Sequence, residues 1–404
     1  MAEENEGLAG KVMRYLIVLG LMMALAQTAS ADDKLQHLLD QALLAARETN
    51  QLPAIAAVVQ INGKIAAEAA FGVRAEGHPE TVTMSDRWLI GSDTKAFTAT
   101  LIARLVEQHV LSFDDTLAAS FPSIANEMSP AYRNVTITQL LSHTAGLPPL
   151  TSDKDMPLFA ETINSVQGVM QQRAAVVRKY LTMPPASKAG EFVYSNLGYL
   201  IAAAIAEAKT GKSWEDLIRE QIFVPLGITN VGFGPPNSSG KFDEPEGHEE
   251  KDGNLLPVDP LREGKELPQA FGPAGTISIG LHDWMIFAQD QLDGEHGHGK
   301  LLTTSDYRKL HTPVYLATPE IQKLVGDRLV NTGYGLGWGL KPGPNGEPLL
   351  ISWNGSDGYW LTTVQIMPKH NMIFLIVTNR GGKAGNQAIA QVDASLVAKL
   401  KPLD

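Results

Sequence analysis

The chain has no cysteine among its 404 residues. That excludes disulfides, thiolate zinc sites, iron–sulfur clusters, a Cys nucleophile and a lipid-anchored Cys. Positive charge is also short: 33 Lys and Arg stand against 44 Asp and Glu, a formal charge of −11. This balance argues against nucleic acid, or an anionic membrane surface, as the main partner. No Gly-x-Ser-x-Gly elbow occurs, which speaks against an α/β-hydrolase. No His-Glu-x-x-His occurs either, and Glu295-His296-Gly297-His298 reads as a Gly-rich surface loop. No metal or other cofactor is expected.

What is present suits a folded enzyme. Hydrophobic residues make up 44% of the chain, enough for a sizeable core. Its length fits one large domain or two interleaved ones. At the N-terminus, Lys11 and Arg14 precede an apolar run, Tyr15 to Ala26, followed by Ala29-Ser30-Ala31. This is the layout of a secretory signal peptide over residues 1–31, cleaved after Ala31. The run is too short for a spanning anchor. The protein is therefore expected to be periplasmic or secreted, without a stable membrane anchor. Glu3, Glu4 and Glu6 are unusual ahead of such a signal, and Met13 is an alternative start.

Periodicity predicts a helix over 33–50 and a hairpin of 55–61 and 64–73 about Asn62-Gly63. Helical patterns then follow from Ser92 to Val110, and over 138–142, 165–180, 196–210 and 213–221. Residues 232–266, rich in Pro, Gly and acids, read as a long surface loop. Strands return at 334–340, 349–353, 360–367 and 372–378, before a closing helix over 386–400. A sheet built from both chain ends, with a mostly helical insertion, satisfies this order. It divides the mature chain, 32–404, into a sheet subdomain (32–85 with 333–404) and a helical subdomain (86–332).

Three segments carry candidate chemistry. Ser92-Asp93-Thr94-Lys95 opens a helix, so a hydroxyl and an ammonium share one face. The helix N-terminus adds positive potential and N–H groups suited to an oxyanion. Lys95 can take the Ser92 proton if burial or a second cation lowers its pKa. Ser238-x-x-Lys241 has the same spacing but lies in the polar loop. Tyr194-Ser195-Asn196, at another helix start, offers a second proton-transfer group and an amide. Tyr132-Arg133-Asn134 is its rival. Trp353-Asn354-Gly355-Ser356 ends a strand where a substrate can approach the backbone and the Ser356 N–H can face that of Ser92.

In this order the three segments resemble class C β-lactamases and their relatives. These include D-alanyl-D-alanine carboxypeptidases, D-aminopeptidases and the family VIII carboxylesterases. Leu140 to Pro148, Pro225 to Ile228 and Pro273 to Ser278 are similar to further segments of the group. The resemblance runs from about Leu43 to Leu400. It implies a β-lactamase/transpeptidase-like α/β fold of the α+β type and selects Tyr194 over Tyr132. It also implies that Ser92 attacks a carbonyl while Lys95 and Tyr194 move the proton. The N–H groups of Ser92 and Ser356 would hold the oxyanion. Asn196 would bind substrate or orient Lys95, and Trp353, Asn354 and Gly355 would line the substrate site. His143 is expected to be structural.

One departure bears on substrate. The third motif of the group usually begins with Lys or His, and this chain has Trp353. An indole offers one N–H and an apolar face, and several esterases of the group carry Trp there. This favours an esterase of neutral substrates over a β-lactamase or carboxypeptidase. Arg380, just past the last strand, is a possible replacement for the lost charge. A catalytically silent binding protein on the same scaffold is the remaining alternative, and the intact Ser92, Lys95, Tyr194 and Asn196 speak against it. The expected partner is a small-molecule ester or amide; the oligomeric state is left open.

Overall fold

A computed structural model describes residues 33–152, 154–325 and 330–400. The expected signal peptide and its cleavage point after Ala31 lie outside these residues. The chain builds one eight-stranded antiparallel sheet from its two ends. The strands are β1 (Ala54–Ile61), β2 (Lys64–Gly72), β3 (Tyr315–Leu316), β4 (Gly333–Tyr334), β5 (Gly339–Pro342), β6 (Pro348–Gly355), β7 (Leu361–Met367) and β8 (Met372–Thr378). Their spatial order is β2-β1-β8-β7-β6-β5-β4-β3. The N-terminal hairpin thus joins the sheet through β1 against β8, in register from Ile55 opposite Thr378 to Ile61 opposite Met372.

β1 is buried along nearly its whole length because both faces are covered. Ala54, Ala56 and Val58 face the main core, whereas Ile55, Ala57 and Val59 face a second core. That second core is filled from helix α1 (33–49) by Leu39, Leu43 and Ala46. The closing helix, Gly382–Leu400, adds Ala388, Ile389, Val392 and Leu396. The period-2 alternation of the strand and the i, i+4 spacing of the helices therefore meet on one face. The turn between β1 and β2 follows its chemistry: Asn62 and Gly63 both have positive φ, 52° and 73°.

The other face carries the helical part. Helix α2 (Thr94–Glu107) is buried on nearly all sides, and α3 (Asn196–Thr210) packs against it. A small second sheet joins Arg87–Leu89, Ile277–Gly280 and Val231–Phe233. It holds the segment before α2 beside the 272–276 turn.

The C-terminal run of strands in the large sheet starts at Tyr315, which pairs with Tyr334. Two expectations need correction. The span 334–340 is two short strands about a turn at Gly337, φ 85°, not one strand. The span 232–266 is not all loop: Gly247–Lys251 and Asn254–Val258 form a hairpin. Its buried His248 bonds the Asn379 carbonyl and accepts from the Glu76 N–H. The polar first strand, Gly-His-Glu-Glu-Lys, hid it, and its buried His248 is satisfied internally.

Candidate active site

Ser92 sits in a single 3-10 turn, Gly91–Asp93, that feeds directly into α2. One turn on, Lys95 is completely buried, and its Nζ lies 3.0 Å from Ser92 Oγ. The Tyr194 hydroxyl, two residues before α3, donates to the same Ser92 Oγ at 2.8 Å. The structure therefore brings Ser92, Lys95 and Tyr194 together. It places Tyr132 elsewhere, fully buried with its hydroxyl toward the Gly146 carbonyl. Ser238 is exposed on its loop, where its carbonyl accepts from the Lys241 N–H.

Burial sets the protonation states. It pushes the Lys95 ammonium well below its ordinary range, only partly opposed by Asp93. Burial also pushes the Tyr194 phenol well above its ordinary range, only partly opposed by its hydrogen bond to Ser92. The amine is thus the group more readily freed of its proton, while the phenol keeps one. Asp93 is itself buried, its carboxyl raised by desolvation and accepting from Thr362 Oγ1 at 2.7 Å.

The Lys95 amine has a second partner that motif reading could not supply. It donates to the Ala274 carbonyl at 2.7 Å. With one N–H engaged there, a neutral Lys95 can turn its lone pair to the Ser92 hydroxyl. The carbonyl is held in turn by neighbours. Thr98 Oγ1 donates to the Pro273 carbonyl and accepts from Trp214 Nε1 at 3.1 Å. Arg173, with no exposed surface, grips the Gln269 and Ala270 carbonyls and pairs with Glu207 and Glu215. A backbone oxygen carries no side-chain signature, so only the fold reveals this contact.

The tip of β6 closes over the Ser92 turn. A Cβ on Gly355 would come within 1.8 Å of the Ile90 carbonyl, and one on Gly91 within 2.5 Å of the Ser356 nitrogen. Gly91 also has φ +49°, so glycine is required there twice over. The two glycines let the Ser356 backbone nitrogen approach the turn that carries Ser92. Asn354 is exposed beside it.

Trp353 is half-buried, and its indole stacks on the Tyr194 ring at 5.8 Å and 20°. The indole N–H has no hydrogen-bond partner among the described residues. Asn196 is buried, and its amide N–H bonds the Leu150 carbonyl at 2.8 Å. Its Oδ1 has no hydrogen-bond partner among the described residues. His143 packs 4.3 Å from the Tyr194 ring and accepts from the Ser195 N–H through Nδ1. Burial keeps it neutral, as a structural residue under the tyrosine. Arg380 is committed elsewhere. Its guanidinium holds the Asn50 and Gln51 carbonyls and pairs with Glu250.

A family model described as Beta-lactamase matches residues 32–398. The chain is 26% identical over 349 residues to "Penicillin-binding protein 4" of Amycolatopsis lactamdurans, covering 83% of each chain. The octameric penicillin-binding protein homologue from Pyrococcus abyssi has a similar structure, with a TM-score of 0.70 at 22% identity over 90% of this chain and 77% of that one. A class C β-lactamase gives a TM-score of 0.70 at 18% identity over 91% of this chain and 97% of its own. Identities this low speak for the β-lactamase/transpeptidase-like fold alone. The family match rests on nearly the whole described chain, and on it this protein belongs to the Beta-lactamase family.

Proposed function

We propose that this protein is a serine hydrolase that forms an acyl-enzyme at Ser92 and acts as a carboxylesterase on short-chain or neutral esters. Lys95, freed of its proton by burial, takes the proton of Ser92 as the hydroxyl attacks the ester carbonyl. The N–H groups of Ser92 and Ser356 receive the negative oxygen. Tyr194 then gives its proton to the departing alkoxide and regains one from Lys95. Water releases the acyl group by the same path in reverse. Asn196, whose Oδ1 is unpartnered among the described residues, can accept a hydrogen bond from a bound substrate.

The observation that carries the ester preference is Trp353 stacked on Tyr194. A carboxylate entering this cleft needs a compensating cation, because an unpaired buried charge is costly. An indole supplies none, and Arg380 is held by Glu250 and two carbonyls. Neutral esters lose nothing, and their apolar part can lie on the ring. β-Lactam opening, or D-alanyl-D-alanine carboxypeptidase or D-aminopeptidase activity, is the second reading. It is favoured by the penicillin-binding relative and the likeness to a class C β-lactamase.

The test is turnover of p-nitrophenyl acetate and butyrate beside nitrocefin. kcat/KM should be higher for the esters. Trp353→Lys should raise nitrocefin opening by roughly ten- to a hundred-fold, the worth of one charge-assisted hydrogen bond. Faster nitrocefin opening by the unaltered protein would replace this reading with the second.

A further inference from the structure

A row of aromatic rings leads away from Tyr194 to the edge of the large sheet. Trp353 stacks on Tyr194, and Tyr334 meets the Trp353 indole edge-on at 4.9 Å. Phe192 follows at 5.7 Å from Tyr334, and Tyr315 stacks on Phe192 at 4.3 Å and 17°. Tyr334 is buried, whereas Trp353, Phe192 and Tyr315 are half-buried. Two separate parts of the fold build the row. The segment before α3 supplies Phe192 and Tyr194, and strands β3, β4 and β6 supply Tyr315, Tyr334 and Trp353. Gly339 makes room for it, since a Cβ there would come within 2.8 Å of the Trp353 ring. Aromatic faces left partly open in a row that starts at Tyr194 are surface that an apolar ligand group can cover.

The proton path says which part of a substrate meets these rings. Lys95 lies wholly buried behind Ser92, while Tyr194 is half-buried beside the same oxygen. When the acyl carbon–oxygen bond of the tetrahedral intermediate breaks, the departing oxygen keeps the bonding pair and takes the Tyr194 proton. That oxygen must therefore lie next to Tyr194, and its substituent extends over the rings that continue from it. We propose that Trp353, Phe192 and Tyr315 form a platform for the leaving alcohol of the substrate, which selects esters of aryl or bulky apolar alcohols. This rests on the acyl-enzyme reading above and specifies the substrate class of that site. The alcohol departs with acylation, so the platform influences acylation and not hydrolysis of the acyl-enzyme.

The experiment compares 2-naphthyl, phenyl and ethyl acetate, which all give the same acetyl-enzyme, with 2-naphthyl butyrate as the acyl-side control. The unaltered protein should show a higher kcat/KM for 2-naphthyl than for ethyl acetate, beyond the ratio of their spontaneous hydrolysis rates. Tyr315→Ala and Phe192→Ala should each lower the naphthyl-to-ethyl ratio about five- to tenfold, the worth of one aromatic contact. Tyr315→Leu, which keeps apolar bulk at the sheet edge, should lower it less and covers the case in which the alanine variant does not fold. The naphthyl acetate-to-butyrate ratio should stay put. An unchanged naphthyl-to-ethyl ratio in folded variants that still turn over esters overturns the platform alone. So does a shift confined to the acetate-to-butyrate ratio, which would place the rings on the acyl side. Failure of every ester to acylate Ser92 in the unaltered protein overturns the underlying reading, and the platform with it.

Discussion

At the scale of single residues, the site runs on two displaced acid–base equilibria. Lys95 is buried and Asp93 offsets that only in part, so its charged form is disfavoured. Its folded-state pKa lies below the unfolded value, so in the interval between them the unfolded chain binds the extra proton. Stability must then rise with pH through that interval. Lys95→Met removes the effect. The variant should be more stable than the unaltered protein at neutral pH by about 0.5–2 kcal/mol, a gap that narrows toward pH ~10.5. Urea titrations at several pH values check this; a variant less stable at every pH would show that the two hydrogen bonds of Lys95 outweigh its desolvation. In turnover, kcat/KM should rise with pH as Lys95 is freed of its proton, within a range below the ordinary lysine pKa. Tyr194 keeps its proton throughout that range, because its pKa is displaced upward. Tyr194→Phe should lower kcat by roughly 10²–10⁴, the worth of a positioned acid–base group. Near-normal kcat in that variant would remove Tyr194 from the proton path.

At the scale of elements, the site depends on how closely β6 approaches the turn before α2. Gly91 and Gly355 are the residues that permit it. Gly91→Ala would add a Cβ against the Ser356 nitrogen at a positive φ, so β6 must retreat. The expected result is a loss of roughly ten- to a thousand-fold in kcat, up to the value of a whole oxyanion donor. Folding stability should fall by about 1–3 kcal/mol, the usual cost of a strained backbone position. Inhibition by an acyl-transition-state mimic such as a boronic acid should weaken in step with kcat, while KM changes little. Tight boronate binding by Gly91→Ala would show that Ser356 does not serve the oxyanion. Long, periodic elements of this part were legible in sequence: Met372–Thr378 is the strand expected, and α3 spans the residues expected. The hairpin at 247–258 was not, because its strands are short, the first is polar and the second is interrupted by Pro257.

At the scale of the molecule, the three segments that carry Ser92, Tyr194 and Ser356 come from different parts of the chain, and buried polar networks hold them together. Arg173 is one such anchor. Its guanidinium meets two carboxylates and two carbonyls, joining the helix Val169–Leu181, α3 and the 269–275 segment that presents Ala274 to Lys95. Arg173→Met would leave Glu207 and Glu215 buried without a cation. It should cost about 3–5 kcal/mol in urea unfolding. Adding Glu207→Gln and Glu215→Gln should restore much of that loss, since the unpaired charges are then gone. A single variant within about 0.5 kcal/mol of the unaltered protein would show that the triad is not an anchor.

The sequence by itself determined the family, the order of the motifs and the turn that carries Ser92. Ser92 and Lys95 are three residues apart on one helix, so local geometry alone puts them on one face. It also carried the departure at Trp353, because residue identity is independent of folding. It could not choose Tyr194 over Tyr132 without the resemblance, since both are tyrosines two residues before an Asn. Only the tertiary structure made that choice on physical grounds, placing one hydroxyl 2.8 Å from Ser92 and burying the other against Gly146. The same holds for the Ala274 carbonyl on Lys95, the commitment of Arg380 to Glu250, and the aromatic row from Trp353 to Tyr315. Each is a contact between segments distant along the chain, whose meeting is decided by packing of the whole and not by any local pattern.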